Sequence, residues 1–228
     1  IWHHCNDADI DSVSKKNSCS YKRLRAVTGK EPDKAEVARA KEVLEMLAVL
    51  AVCGVIEVRF CDETSFQLNS NIPYGWGPVG EQQGIKAIKG GNLNVFGLLD
   101  LQTNGLTTYL TEGRVDSVQI IEWLDDFSTT LTKPTVVVMD NAPWHRSKAF
   151  MDCLSRWEEN NLIIYHLPTY SPHLNPIEIA WKMIKYQWLR PQDFNSKEKL
   201  HERIKYVLAN FQTSEFSLNY SPKLQSKF

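Results

Sequence analysis

"VVVMDNAPWHRS", residues 136 to 147, is the stretch on which the fold turns. Val136, Val137, Val138 and Met139 are apolar and mostly β-branched, which reads as a short buried strand. The run ends abruptly on Asp140, and Asn141, Ala142, Pro143, Trp144 and His145 follow. Asp-Asn with a nearby proline is ordinary turn chemistry, and that is one reading of Asp140. The other is that a carboxylate is held at a strand tip because something there needs a fixed negative charge.

Upstream, residues 1 to 32 are polar and irregular, with a basic cluster "KKNSCSYKRLR" at 15 to 25. From Pro32, "PDKAEVARAKEVLEMLAVLAV" places apolar residues at Val37, Val43, Leu44, Leu47 and Leu50, and Gly54 stops the pattern. This predicts a helix packed on a core. "VIEVRFCDE" reads as a strand ending at Asp62, and "NIPYGWGPVGEQQG" as a Gly/Pro-rich loop. "NLNVFGLLDLQ" and "LTTYLTE" are two strands joined by a "TNG" turn. "DSVQIIEWLDDFSTTL" is an amphipathic helix capped by Asp116.

Downstream, "KAFMDCLSRWEE" reads as a helix, "LIIYHLP" as a strand, and "NPIEIAWKMIKYQWL" and "KEKLHERIKYVLANF" as two helices. Three early strands followed by alternating helices and strands imply an α/β fold, a mixed sheet with helices on both faces. That is the element order of a ribonuclease-H-like fold. The expected domains are a linker or module remnant at 1 to 32, the ribonuclease-H-like domain at 33 to 214, and a tail at 215 to 228.

Asp62 and Asp140 thus stand in equivalent places, each as the last residue of a predicted core strand. A third acid lies in "LPTYSPHLNPIEIAW", where Pro168, Pro172 and Pro176 stiffen the connection. Asn175 is a natural helix N-cap, Pro176 fits the first helical position, and Glu178 falls at the third. Asn175 with Glu178 is close to a capping box, and Glu178 to Lys182 is an ion-pair spacing, so Glu178 has a purely structural reading. It also borders an apolar stripe of Ile177, Ala180, Trp181, Ile184 and Trp188, which would lay its carboxylate beside the sheet. Carboxylates brought together repel unless a cation lies between them. An all-oxygen donor set favours Mg²⁺ or Mn²⁺ over zinc, and two such ions suit in-line displacement at phosphorus.

The composition narrows the classes. The chain has 228 residues, 43% apolar and 23% charged, with a formal net charge of −1. That is an ordinary globular balance with no overall basic excess, which leaves room for a local basic stripe. Five scattered cysteines, Cys5, Cys19, Cys53, Cys61 and Cys153, form no disulfide framework and favour a reducing compartment. "HHC" at 3 to 5 with Cys19 lacks the paired spacing of a structural zinc site. The longest apolar stretch, "LEMLAVLAVCGVIEV", is too short to span a bilayer, so no membrane partner is expected.

"VVVMDNAPWHRS" followed by "IIYHLPTYSPHLNPIEIAWKMIK" resembles the catalytic domain of mariner-superfamily transposases, especially their bacterial insertion-sequence branch. "VRFCDETSFQL" with "GWGPVG" is similar to the family's first-Asp strand and the loop after it. The resemblance covers about residues 20 to 212, and its motifs together are specific.

It implies a triad of Asp62, Asp140 and Glu178 holding two Mg²⁺ or Mn²⁺ ions, with Asp62 bridging them. The implied reaction is hydrolysis of a phosphodiester at a transposon end, then attack of the released 3′-hydroxyl on target DNA. The implied partners are double-stranded DNA and a second copy of the chain, in the cytoplasm or nucleoid of a bacterium; no organic cofactor is implied. Lys15, Lys16, Lys22, Arg23 and Arg25 become phosphate contacts where composition alone gives a solvated linker. Trp76 is a DNA or subunit contact, or a core plug for its loop. His145 reaches the scissile phosphate, or only stabilises the turn; Arg146 beside it is a DNA contact.

Two departures stand out. The interval from Asp140 to Glu178 is longer than that branch is expected to have, and the extra length falls in "MDCLSRWEENN". Relatives also carry amino-terminal helix-turn-helix modules, which are not seen here, so the chain is expected to be a catalytic portion. The alternatives are a ribonuclease-H-like nuclease that cuts without joining, and a non-catalytic DNA-binding or assembly protein that keeps the fold.

Overall fold

A computed structural model describes residues 31–68 and 90–218, apart from the side chains of Pro143 and Trp144. The expected DNA contacts Lys15, Lys16, Lys22, Arg23, Arg25 and Trp76 lie outside the described residues.

Helix α1, Lys34–Val52, starts where Asp33 accepts the backbone N–H groups of Ala35 and Glu36 at 2.7 and 3.3 Å. It ends at Gly54, whose φ of +74° closes the helix in a left-handed conformation that a side chain would strain. The strands follow as β1, Glu57–Phe66; β2, Leu93–Asp100; and β3, Leu106–Thr111. Helix α2, Ser117–Thr129, is capped by Asp116, which accepts from Val118 and Gln119. Next come β4, Thr135–Met139; α3, Lys148–Met151; α4, Leu154–Glu159; and β5, Leu162–His166. Helices α5, Ile177–Met183, and α6, Lys197–Ala209, complete the described fold.

The five strands form one sheet in the order β3-β2-β1-β4-β5. β1 is antiparallel to β2 and parallel to β4, and β4 is parallel to β5, so the sheet is mixed as the element order requires. Side-chain alternation divides it into two cores. Phe60, Val95, Leu99, Val136 and Val138 face α1, α5 and α6. Cys61, Phe96, Leu98, Val137 and Met139 face α2, α3 and α4, where Trp157 and Phe150 are fully enclosed. Among the described residues no helix is long and apolar enough to cross a membrane.

Four local expectations differ from the structure. β1 does not end at Asp62 but runs on to Phe66, because Asp62 through Phe66 pair with Gly97 through Leu93 of β2. "KAFMDCLSRWEE" is two short helices that break at Asp152 and Cys153. The helix from Ile177 widens into a π-turn at Ile184–Trp188, where the Leu189 N–H reaches back to the Ile184 carbonyl at 3.2 Å. Such π segments cluster at functional sites. Asn175 does not cap α5 with its side chain: its amide donates instead to the Cys61 carbonyl at 2.9 Å, and Pro176 occupies the cap position.

Candidate active site

Strand register brings the first two acids together. β1 and β4 run parallel with Glu57 opposite Thr135 and Phe60 opposite Val138. Asp62 and Asp140 each lie two residues beyond that last pair, and the charge of Asp140 reaches the Asp62 carboxyl. Asp62 shares the parity of Phe60 in β1 and so belongs to the face covered by α5, while Asp140 lies just past the end of β4.

A glycine brings the third. Gly97 pairs with Asp62 across β1 and β2. A Cβ there would lie 2.6 Å from the Trp181 ring and 3.1 Å from Ile177 Cδ1. The missing side chain lets α5 settle directly on the sheet beside Asp62, carrying Glu178 on its first turn. The Asn175 strut fixes the same end of the helix to the residue before Asp62. Glu178 makes no ion pair with Lys182; the cation whose charge it feels is Lys185, on the π-turn.

The electrostatics follow from this crowding. Burial raises the Asp62 carboxyl well above the usual carboxylate range, and the charges of Glu63, Glu178 and Asp140 push it further. Burial also raises Glu178; Lys185 opposes that and Asp140 adds to it. Lys185 is lowered by burial against the pull of Asp62 and Glu178, and its ammonium lies 5.6 Å from the centre of the Phe66 ring.

Asp140 behaves differently. Its side chain is 55% exposed, and its carboxyl is lowered: partial burial is outweighed by hydrogen bonds from His145 and from the Ala142 N–H.

Of the two readings of His145, its burial and its bond to Asp140 favour the one in which it stabilises the turn. It is 1% exposed, with Nδ1 3.0 Å from Asp140 Oδ1 and Nε2 2.8 Å from Glu63 Oε1. Two ionised carboxylates can only accept, so both ring nitrogens carry protons. Burial alone would lower the ring, but the two carboxylates overcome it and push the imidazole up to about 10. Arg146, by contrast, is exposed on the same 3₁₀ turn. His166, at the end of β5, directs Nδ1 towards the Asp140 carbonyl at 3.3 Å and is lowered by burial. Cys61 is a buried core residue, as its position beside Asp62 leads one to expect.

The donor set at the three acids is carboxylate oxygen throughout, which suits a hard divalent cation such as Mg²⁺ or Mn²⁺. Neither Asp62 nor Glu178 receives a hydrogen bond from another side chain among the described residues; burial raises both carboxyls, and the neighbouring acids add to the rise at Asp62. The residues therefore fit such an ion in kind. They do not form a closed cage: among the described residues no group of three or more His, Cys, Asp or Glu side chains is arranged to hold a metal as it stands.

A five-stranded mixed sheet in this order with helices on both faces is a ribonuclease-H-like core of the type found in transposases. The chain belongs to the DDE superfamily endonuclease family, whose sequence profile matches residues 57–201. No curated protein matches it in sequence. Among solved structures it is similar to the mariner Mos1 paired-end complex with Mg, at 15% identity and a TM-score of 0.61, over 98% of this chain and 75% of that one. The Mos1 catalytic domain matches at 15% identity and 0.54, over 83% and 87%. The Mos1 strand transfer complex matches at 17% and 0.57, over 90% of this chain and 63% of that one. The chain thus spans somewhat less than two thirds of the Mos1 chain in that last complex.

Three features of the site were not read from the sequence. Glu63 lies beyond the strand end expected at Asp62; because β1 runs on to Phe66, alternation turns it to the face opposite Asp62. Lys185 lies seven residues after Glu178, two helical turns on, a spacing that would have placed it near the same face. Gly97 carries no sequence signal beyond being a glycine inside a strand.

Proposed function

We propose that this chain is the catalytic domain of a mariner-type transposase of the insertion-sequence branch, cleaving DNA at transposon ends and joining the freed strand to target DNA. The observation that carries the reading is the convergence of Asp62, Asp140 and Glu178 from three separate elements, with Asp62 and Glu178 held above the usual carboxylate range.

In this reading Asp62, Asp140 and Glu178 hold two Mg²⁺ or Mn²⁺ ions. Bound there, the ions supply activation of the attacking oxygen and stabilisation of the leaving oxygen. Asp62, whose carboxyl feels the charge of both other acids, would be a ligand alongside them. Gly97 and Asn175 keep α5 close enough for Glu178 to take part. Lys185 and Arg146 offer positive charge to the DNA backbone beside the acids, and Lys15, Lys16, Lys22, Arg23, Arg25 and Trp76 extend that contact.

In the first reaction a water oxygen bonds to phosphorus and the 3′-oxygen leaves, taking up a proton to become a hydroxyl. In the second, that hydroxyl oxygen bonds to a target phosphorus, its proton departs to solvent, and the target's own 3′-oxygen leaves. Two ends must be paired, so two copies of the chain act together.

The test is a plasmid nicking and joining assay in Mn²⁺, with a labelled duplex carrying a free 3′-hydroxyl. Transposase activity gives labelled plasmid from the wild type and none from Glu178→Gln. Nicking without labelled plasmid favours a nuclease that does not join. No nicking with Mg²⁺ or Mn²⁺ favours a protein that keeps the fold only.

A further inference from the structure

Asp140, one of the three acids whose site is proposed above, has a side chain 55% exposed and lies just past the end of β4, where ladder hydrogen bonds no longer fix the chain. Something else must hold its carboxylate. Two donors do so, the Ala142 N–H at 3.1 Å and His145 Nδ1 at 3.0 Å, and both converge on Oδ1. Among the described residues Oδ2 receives no hydrogen bond, so the carboxylate is gripped by one oxygen and offers the other.

The grip is only as firm as the imidazole. The His145 ring is fully enclosed, tilted against the Phe150 ring with centroids 5.9 Å apart. Its far nitrogen is anchored at 2.8 Å by Glu63, which comes from a different strand, 82 residues away in sequence. Glu63 is one residue from Asp62, yet alternation along β1 sends the two side chains to opposite faces of the sheet. Asp62 faces α5; Glu63 faces the 3₁₀ turn that carries His145.

We infer that Glu63 and His145 are a positioning pair, which holds the Asp140 carboxylate in the orientation that receives a divalent cation while neither residue binds the cation itself. This rests on the reading of Asp140 as a metal ligand. The pair also places one buried positive charge between two acids that would otherwise repel one another. Partners of this kind, one step removed from a metal, commonly cost ten- to a hundredfold in affinity when removed.

The experiment is calorimetric titration of the whole chain with Mn²⁺ in the presence of duplex DNA, comparing wild type, Glu63→Ala, Glu63→Gln and Asp140→Asn, each checked by thermal melting. The inference expects Glu63→Ala to bind about ten- to a hundredfold more weakly. Glu63→Gln, whose amide oxygen still accepts from His145, should recover most of that loss, and Asp140→Asn should fall furthest. Wild-type affinity in Glu63→Ala overturns the inference. So does a Glu63→Gln variant as weak as Asp140→Asn, which would make Glu63 a ligand. If Glu63→Ala does not fold, His145→Gln takes its place, with the same loss expected and wild-type affinity again overturning the inference. Absence of binding in the wild type overturns the metal-site reading and this inference together, and is visible in the wild-type trace alone.

Discussion

Asp62 and Asp140 lie two residues beyond Phe60 and Val138, the last pair in register across the parallel β1–β4 ladder, and the charge of Asp140 reaches the Asp62 carboxyl. A register slip of one residue would turn one of the two acids to the opposite face. The site is therefore set by the pairing of buried valines as much as by the acids, and each prediction below follows from that arrangement.

Asp62 makes the metal-free protein sensitive to pH. Its carboxyl is raised by burial and by Glu63, Glu178 and Asp140, so the folded form keeps a proton that the unfolded chain has already lost. The resulting stability is fully present below the unfolded carboxylate pKa of about 4 and is lost as pH rises through the higher folded value. Glu178 acts in the same direction. In a chelating buffer the melting temperature should fall as pH rises above the unfolded carboxylate value of about 4, and Asp62→Asn should lessen that fall. His145, pushed up to about 10, adds to the fall above its unfolded value of about 6.5. Mg²⁺ should stabilise the wild type most at the alkaline end, where the proton no longer competes. A wild-type melting temperature independent of pH in this window would contradict the crowding of the acids.

Gly97 sets how closely α5 approaches the sheet. In Gly97→Ala the new methyl group would meet the Trp181 ring at 2.6 Å. The variant should lose about 1–3 kcal/mol in urea unfolding, the usual cost of an overpacked core. Metal affinity should fall with it, because Glu178 rides on the displaced helix. A fully stable Gly97→Ala that binds Mn²⁺ like wild type would show that the close approach is not needed.

Asn175 ties the two elements that carry Asp62 and Glu178. Asn175→Ala leaves the buried Cys61 carbonyl without its donor. The expected loss is about 1–3 kcal/mol, read from denaturant unfolding. Metal-dependent nicking should fall by a larger factor than stability alone explains, measured well below the transition.

Lys185 lies within electrostatic reach of Asp62 and Glu178. Lys185→Met removes a positive charge that competes with an incoming cation, so Mn²⁺ affinity without DNA should rise several-fold. DNA affinity should fall in the same variant, and its dependence on salt should become less steep. A Lys185→Met chain unchanged in both would leave this lysine with a packing role against Phe66 alone.

Much of this fold was legible because its elements announce themselves locally. Asp33 and Asp116 cap the helices they precede, Gly54 ends the first, and the valine run of β4 is buried throughout. The three acids were also legible, as residues at abrupt changes of pattern. The rest depends on partners from distant elements. That β1 continues past Asp62 is decided by β2, which pairs with it as far as Leu93. That Asn175 supports β1 rather than capping α5 is decided by a carbonyl 114 residues earlier in the chain. The two readings of His145 stay open in the sequence because nothing beside it reveals that Glu63 lies against its other nitrogen.

The measurement that tests the central claim most directly is Mn²⁺ binding by calorimetry, with duplex DNA present, in the wild type and in Asp62→Asn, Asp140→Asn and Glu178→Gln. The account predicts that the wild type binds, and that each of the three substitutions, on three different elements, severely weakens binding in a chain that still melts cooperatively. Wild-type affinity in any one of these folded variants would contradict the claim that the three carboxylates form a single site.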